Sequence, residues 1–383
     1  MNRAKYTACL LAVMNRISAV LCVCFCVVVC LSSCNDRIEK PTPLDLKIPK
    51  GFPTLLNIPA DNPMTVEGVA LGKMLFEDPH LCGYIGSDPD SLMSCATCHR
   101  QQNNYDIGTD NSRFPDGVAR GRSTGKPTAH NVMPLANLVF NNSGYFWNGH
   151  ISHDNPELNR RNIEDIVLMA ITADDEMCGT AERAVVAVRA NKKYPPLFEK
   201  AFGTKEITID RIQKAIAQYI RSLVSADSKF DRYLAGKEQL TAQELHGLIL
   251  FSTEEGADCY HCHGGDGTPL FTTNLFYNNA ADATPSDPHD RYSVSGDVTD
   301  KGAYRAPSLR NVAVSAPYFH DGRFKTIDEV LEFYNSGLQP SPYASPLMHK
   351  LNDGGAHLTP SDIADLKAFL LTLTDDEFLG KKH

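Results

Sequence analysis

Apolar residues recur at helical spacing in three stretches of the chain. In ITIDRIQKAIAQYIRSLVS, from Ile207, residues Ile212, Ala215, Ile216, Tyr219, Ile220 and Leu223 fall on one face of a helix. In LTAQELHGLILF, from Leu240, Thr241 stands as an N-cap, with Glu244 at the capping-box position ahead of an apolar run. LTPSDIADLKAFLLTL, from Leu358, repeats the arrangement, with Thr359 before Pro360. Two further stretches match each other. LGKMLFEDPH from Leu71 and HGLILFSTEEGADC from His246 both end a helical run in Leu-Phe. The pattern predicts a mainly α-helical protein whose helices are joined by long loops.

The N-terminus has a different pattern. Met1 to Arg16 carries three basic residues and no acid, followed by AVLCVCFCVVVC and then LSSC. Basic, apolar and small residues in that order make an export signal. The apolar run, about 15 residues, is short of the ~20 that a spanning helix needs, which leaves a membrane anchor as the competing reading. LSSC resembles the bacterial lipoprotein box. That resemblance implies cleavage before Cys34, lipidation of its thiol, and a chain on the periplasmic side of a bacterial membrane, held by acyl chains. Residues 1–33 are then a signal and 34–55 a tether.

Charge narrows the partners. The 383 residues carry a net charge of −9; losing 1–33 removes three of 37 basic residues and none of 46 acidic ones, leaving −12. Nucleic acid would need a basic patch and is disfavoured. An acidic surface suits a basic electron-carrier protein.

Cysteine spacing carries the chemistry. Five of the twelve cysteines lie in the signal; Cys34, Cys82, Cys95, Cys98, Cys178, Cys259 and Cys262 remain. CATCH at Cys95–His99 recurs as CYHCH at Cys259–His263. Both read C-x-x-C-H, the attachment signature of c-type haem, in which two thiols bond the haem vinyl groups and the next histidine ligates the iron. Chance occurrence in this composition is about 0.01 per chain. A zinc site would need the two pairs to converge, and a redox dithiol would need no histidine. The pairs are 164 residues apart and each has its own histidine. Two covalent haems follow, in two cytochrome c-like domains in tandem: residues 56–225 and 226–383. Cys82 and Cys178 are left over, and in an oxidising compartment a disulfide between them stays open.

These motifs, with PTAHN, FWNGH, SKFDRYLAG and YRAPSLRNVAVSAPYFHDGRFKTIDEVLEFYNSG, resemble the bacterial di-haem cytochrome c peroxidase family, which includes MauG-like enzymes. The resemblance covers about residues 50 to 378. It implies that Cys95, Cys98 and His99 hold a peroxidatic haem, and that Cys259, Cys262 and His263 hold an electron-transfer haem. It gives Trp147 the place of a relay between the haems, and Glu176 that of a distal acid–base group, with Asp174 and Asp175 beside it as alternatives. It implies one Ca2+ held by the Asn131 side chain and the carbonyls of Ser315 and Pro317, with His320 close by but not a metal ligand.

For the sixth ligand of the second haem, the resemblance points to Tyr334, as in MauG-like members, with Met348 as the alternative. Ser123 falls where many classical members carry a distal histidine. An N-terminal haem that needs no reductive activation is therefore expected; His150 and His153 stay open as further ligands. The implied reaction is reduction of H2O2 to water with electrons from a small cytochrome or cupredoxin. The alternatives are MauG-like oxidation of a partner protein or other substrate, and a non-enzymatic di-haem electron carrier. The family also suggests a homodimer.

Overall fold

The computed structural model describes residues 40–151, 162–265 and 268–381. The signal, Cys34 and His153 lie outside the described residues. Nine helices of six residues or more occur among those described. They are α1 (Val66–Glu77), α2 (Ile163–Thr172), α3 (Ala181–Ala190), α4 (Tyr194–Phe202), α5 (Ile209–Arg221), α6 (Lys229–Leu234), α7 (Ala242–Ser252), α8 (Ile327–Ser336) and α9 (Pro360–Leu371). The one sheet among the described residues is a two-residue antiparallel pair, β1 (Phe276–Tyr277) with β2 (Tyr304–Arg305). No helix in them is long and apolar enough to cross a membrane.

The helix ends follow from local side-chain chemistry. Thr241 caps α7 with Glu244 answering, and Thr359 caps α9 with Asp362 answering, so each helix start satisfies two otherwise orphaned amides reciprocally. The same box starts α6 (Ser228 and Asp231) and α8 (Thr326 and Glu329), where the sequence pattern alone does not single it out. Helix α2 adds a further element beyond those the pattern predicts. Its Ile163, Val167 and Ile171 are spaced by four and buried on its inner face.

Two helix crossings are built alike. Gly72 of α1 lies against the backbone of α5, where a Cβ would overlap the carbonyl oxygen of Ala215 and sit 2.9 Å from the Cβ of Tyr219. Gly247 of α7 lies against α9, where a Cβ would overlap the carbonyl of Asp365 and sit 2.8 Å from the Cβ of Phe369. In both, Leu and Phe follow three and four residues after the glycine: Leu75 and Phe76, Leu250 and Phe251. All four are buried. The Leu-Phe similarity in the sequence is thus a repeated packing unit.

Residues 41–383 form one structural unit. Its largest apolar cluster runs from Leu71 to Leu223, and a second from Phe230 to Leu373. A smaller cluster joins Phe52, Val139 and Phe140 to Leu270. The segment expected as a tether is therefore held to the body from residue 41 onward. Thr42 bonds the Glu67 carboxylate through its amide (2.8 Å) and hydroxyl (2.9 Å), and Phe52 is buried edge-on against Phe140. Each large cluster also has one buried bidentate ion pair nearby, Arg221 with Glu164 (2.6 and 2.8 Å) and Arg310 with Asp231 (2.8 and 2.6 Å).

Candidate functional site

Both C-x-x-C-H motifs fold as one helical turn, each closed by the same bond. The His99 amide donates to the Cys95 carbonyl (2.9 Å), and the His263 amide donates to the Cys259 carbonyl (3.1 Å). Side-chain anchoring is also shared. Nδ1 of His99 lies 2.7 Å from the Tyr105 carbonyl and Nδ1 of His263 lies 3.1 Å from the Pro307 carbonyl. A carbonyl can only accept, so each ring carries its proton on Nδ1 and leaves the Nε2 lone pair for a metal. Burial brings both imidazoles down to about 4, so both are neutral. Packing supports the first ring: Phe76 of α1 lies 6.5 Å from His99 between ring centres.

All four thiols are pushed up to about 12 by burial, with Glu176 adding to the effect on Cys95 and Cys98, and Asp258 on Cys259 and Cys262. Such cysteines are protonated, the opposite of an activated redox dithiol. None of the four is in a disulfide. Cys82 and Cys178 are free as well. The Cys82 thiol donates to the Pro79 carbonyl (3.3 Å) and the Cys178 thiol to the Asp174 carbonyl (3.1 Å).

Glu176 lies in the short turn after α2. Its carboxyl is raised to about 7, first by burial and then by the charge of Asp175. Its effect on Cys95 and Cys98 sets it beside the first motif. Asp174 is exposed and ion-paired with Lys126 (2.9 Å), and so is engaged elsewhere. The loop containing Ser123 packs on the same turn, the Arg122 amide donating to the Glu176 carbonyl (2.7 Å).

Trp147 is buried where several segments meet. Its Nε1 donates to the Asn131 carbonyl (2.9 Å), and its own carbonyl accepts from the Arg305 amide (2.8 Å). Asn131 in turn donates from its amide to the His320 carbonyl (2.6 Å) and from Nδ2 to the Pro317 carbonyl (2.5 Å). Oδ1 of Asn131 is buried without a partner. Turning that amide over would set Oδ1 beside the Pro317 carbonyl oxygen, an arrangement stable only with a cation between them. Ser315, also buried, lies two residues before Pro317.

Tyr334, on α8, is half-buried, and its hydroxyl accepts a bond from Nδ2 of Asn279 (3.0 Å). Burial first, then Asn279 in opposition and the neighbouring Cys262 and Cys259, set its phenol above the ordinary range. The tyrosine thus stands close to the second motif. Met348 is in the same apolar cluster, with Phe319, Phe333 and Leu338.

Two features had no signal in the sequence. Arg305 is a buried guanidinium whose described partners are the Gly144 carbonyl (2.8 Å) and the Met133 sulfur (3.5 Å); its Nε has none, and burial lowers it to about 10. Asp287 joins His130 (2.7 Å) and the Tyr304 hydroxyl (2.7 Å), while Tyr304 stacks flat on His320 with ring centres 3.6 Å apart. His130 is thereby engaged away from the first motif.

The sequence model of the family described as di-haem cytochrome c peroxidase matches residues 66–239. The chain is 32% identical to methylamine utilization protein MauG of Methylorubrum extorquens over 318 residues, 82% of this chain and 80% of that one. It is 30% identical to cytochrome c551 peroxidase of Nitrosomonas europaea, over 84% of each. A crystal structure of a MauG-like protein associated with microbial copper homeostasis superposes with a TM-score of 0.73 at 32% identity, covering 88% of this chain and 97% of that one. The diheme peroxidase BthA from Burkholderia thailandensis, at 21% identity, shares the fold with a TM-score of 0.66, covering 83% of this chain and 88% of that one.

Proposed function

The chain belongs to the di-haem cytochrome c peroxidase family, and from that premise we propose that it is an exported, c-type di-haem enzyme that reduces H2O2 to water. Two cytochrome c-like haem domains, 56–225 and 226–383, would divide the work. The residues fit the group. Two pairs of neutral thiols, each followed by an imidazole with Nδ1 tied to a carbonyl, provide for two covalent haems with His99 and His263 as iron ligands. The unpaired Nε of Arg305 suits a haem propionate. When bound, the haems supply the electron transfers in H2O2 + 2 e− + 2 H+ giving two H2O.

The observation that carries the reading is Glu176: a carboxyl beside the first motif whose affinity for protons is matched to neutral pH. Its side chain takes the proton from one peroxide oxygen and returns it to the departing one, as acid–base groups do best with a pKa near the working pH. Trp147, hydrogen-bonded into the seam between residues 131 and 305, gives the electron path an oxidisable ring. The orphaned Oδ1 of Asn131, with the carbonyls of Ser315 and Pro317, supports one Ca2+, a hard cation that takes oxygen donors. The electron donor is then a small cytochrome c or cupredoxin; lipidation at Cys34 would hold the enzyme at a membrane, and a homodimer is the expected assembly.

Tyr334 favours a second reading, a MauG-like enzyme that oxidises a protein or other substrate. Its phenol stands near Cys259 and Cys262, and an oxygen ligand stabilises ferric iron more than a thioether does. The test is an electronic and EPR spectrum of the ferric protein, before and after stoichiometric H2O2, repeated with Tyr334→Phe. One high-spin and one low-spin haem, both responding without prior reduction, and loss of the low-spin signal in the variant, is the expected result. Two low-spin haems that stay inert to peroxide even after half-reduction would overturn the enzyme in favour of an electron carrier.

A further inference from the structure

We propose that Glu254, His261 and His349 form a binding site for a divalent transition cation of the zinc type, on the outer edge of the second C-x-x-C-H turn, with Asp258 orienting His261 and lying beside His349. One ligand atom from each of the three residues lies within 4.8 Å of the other two. Nε2 of His261 is 3.8 Å from Oε1 of Glu254, slightly wider than the edge of a tetrahedral zinc shell with bonds of about 2.0–2.1 Å. The two imidazoles meet edge to face with ring centres 4.8 Å apart. Rotation of the exposed Glu254 and His349 side chains closes the remaining gap.

The carboxylate behind the rings makes this more than a cluster of surface charges. The Asp258 side chain is 5% exposed, and its two oxygens go one to each histidine: Oδ1 to Nδ1 of His261 (2.6 Å) and Oδ2 to Nδ1 of His349 (3.1 Å). The His261 ring is thereby held with its proton on Nδ1 and its lone pair on Nε2, while His349 stands within ion-pair distance of the same carboxylate. Metal-binding histidines are oriented by such carboxylates. Two imidazoles with one carboxylate suit zinc or copper rather than Ca2+ or Mg2+, which prefer all-oxygen shells. Three protein ligands also leave a fourth position to water. His261 belongs to the haem turn, Glu254 lies just past the end of α7, and His349 comes from the loop between α8 and α9. A bound cation would therefore tie the haem turn to a segment remote in sequence.

The site borders the second haem position. The charge of Asp258 already reaches Cys259 and Cys262. A dication held here would offset that charge and favour the reduced haem, raising its potential; this consequence rests on the function proposed above, whereas metal binding itself does not.

The test is calorimetric titration of the Ca2+-saturated holoprotein with Zn2+ alone. One Zn2+ per chain at micromolar Kd or tighter is expected, weakened at least tenfold in His349→Ala and in Glu254→Gln, with the haem spectra of both variants unchanged. Glu254→Gln replaces an exposed side chain, so it keeps the test open should His349→Ala fold poorly. A potentiometric titration should show the second haem shifted upward by Zn2+ in the parent chain and not in His349→Ala. Absence of saturable Zn2+ binding, or equal affinity in parent and both variants, overturns the site. Saturable Zn2+ binding by a parent chain that carries no haem would keep the site and sink the haem reading instead.

Discussion

Replacing Glu176 by glutamine removes the proton acceptor while keeping the size and most of the shape of the side chain. General acid–base help of this kind is typically worth 10²–10⁴-fold, which at 1.36 kcal/mol per decade is about 3–5.5 kcal/mol of barrier. The raised carboxyl, about 7, also sets a pH dependence. Only the ionised form can accept the peroxide proton. About a tenth is ionised one unit below the pKa and about nine tenths one unit above, so the rate should climb roughly tenfold from pH 6 to pH 8 and then level off. The assay is stopped-flow absorbance of the ferric protein mixed with H2O2, across pH 5 to 9. Glu176→Gln should be slower by at least a hundredfold and lose the step near pH 7. Stability should not suffer, because a carboxyl whose pKa is raised by burial destabilises the fold once ionised, and glutamine carries no charge. A variant within threefold of the parent rate, with the step near pH 7 intact, would refute the role of Glu176.

Trp147→Phe keeps an aromatic ring but loses the bond to the Asn131 carbonyl. The first haem should react with peroxide at the parent rate while oxidation of the second slows at least tenfold, followed by absorbance at two wavelengths; the lost bond costs about 1 kcal/mol in urea unfolding. Arg221→Met leaves the Glu164 carboxylate buried without its bidentate partner and should cost about 3–5 kcal/mol, read from the urea midpoint. Gly247→Ala drives a methyl group into the Asp365 carbonyl, so α7 and α9 must separate, at a cost of about 1–3 kcal/mol visible as a lowered Tm.

The C-x-x-C-H turns and the capped helices are legible in the sequence because their chemistry is contiguous. The C-x-x-C-H pattern holds Cys, Cys and His within five residues, and the boxes of Thr241 with Glu244 and Thr359 with Asp362 act over three. What escapes the sequence depends on loops that bring distant residues together. Asp287 is 157 residues from His130, and its preceding stretch has no periodic pattern. The turn carrying Glu176 is met by the distant loop around Arg122, whose amide donates to the Glu176 carbonyl, and no local pattern encodes that meeting. Arg305 reads as an ordinary basic residue of a short strand; among the described residues its guanidinium meets the Gly144 carbonyl and the Met133 sulfur. The stretch 34–55 reads as a tether after the lipoprotein-like box, yet from residue 41 it is fastened by the Thr42 bonds to Glu67 and by the burial of Phe52.

That fastening has a mechanical consequence. Phe52 touches Phe140 in the first half of the chain, and the guanidinium of Arg310, from the second half, lies 4.8 Å from its ring centre. The start of the body thus works as a buckle across both halves. A pull on the N-terminus would load the bonds of Thr42 to Glu67 and of Leu44 to Met64 first, and this aromatic contact after them. Electron passage between two centres falls steeply with their separation, so opening the buckle would slow the exchange while leaving both haem turns chemically intact.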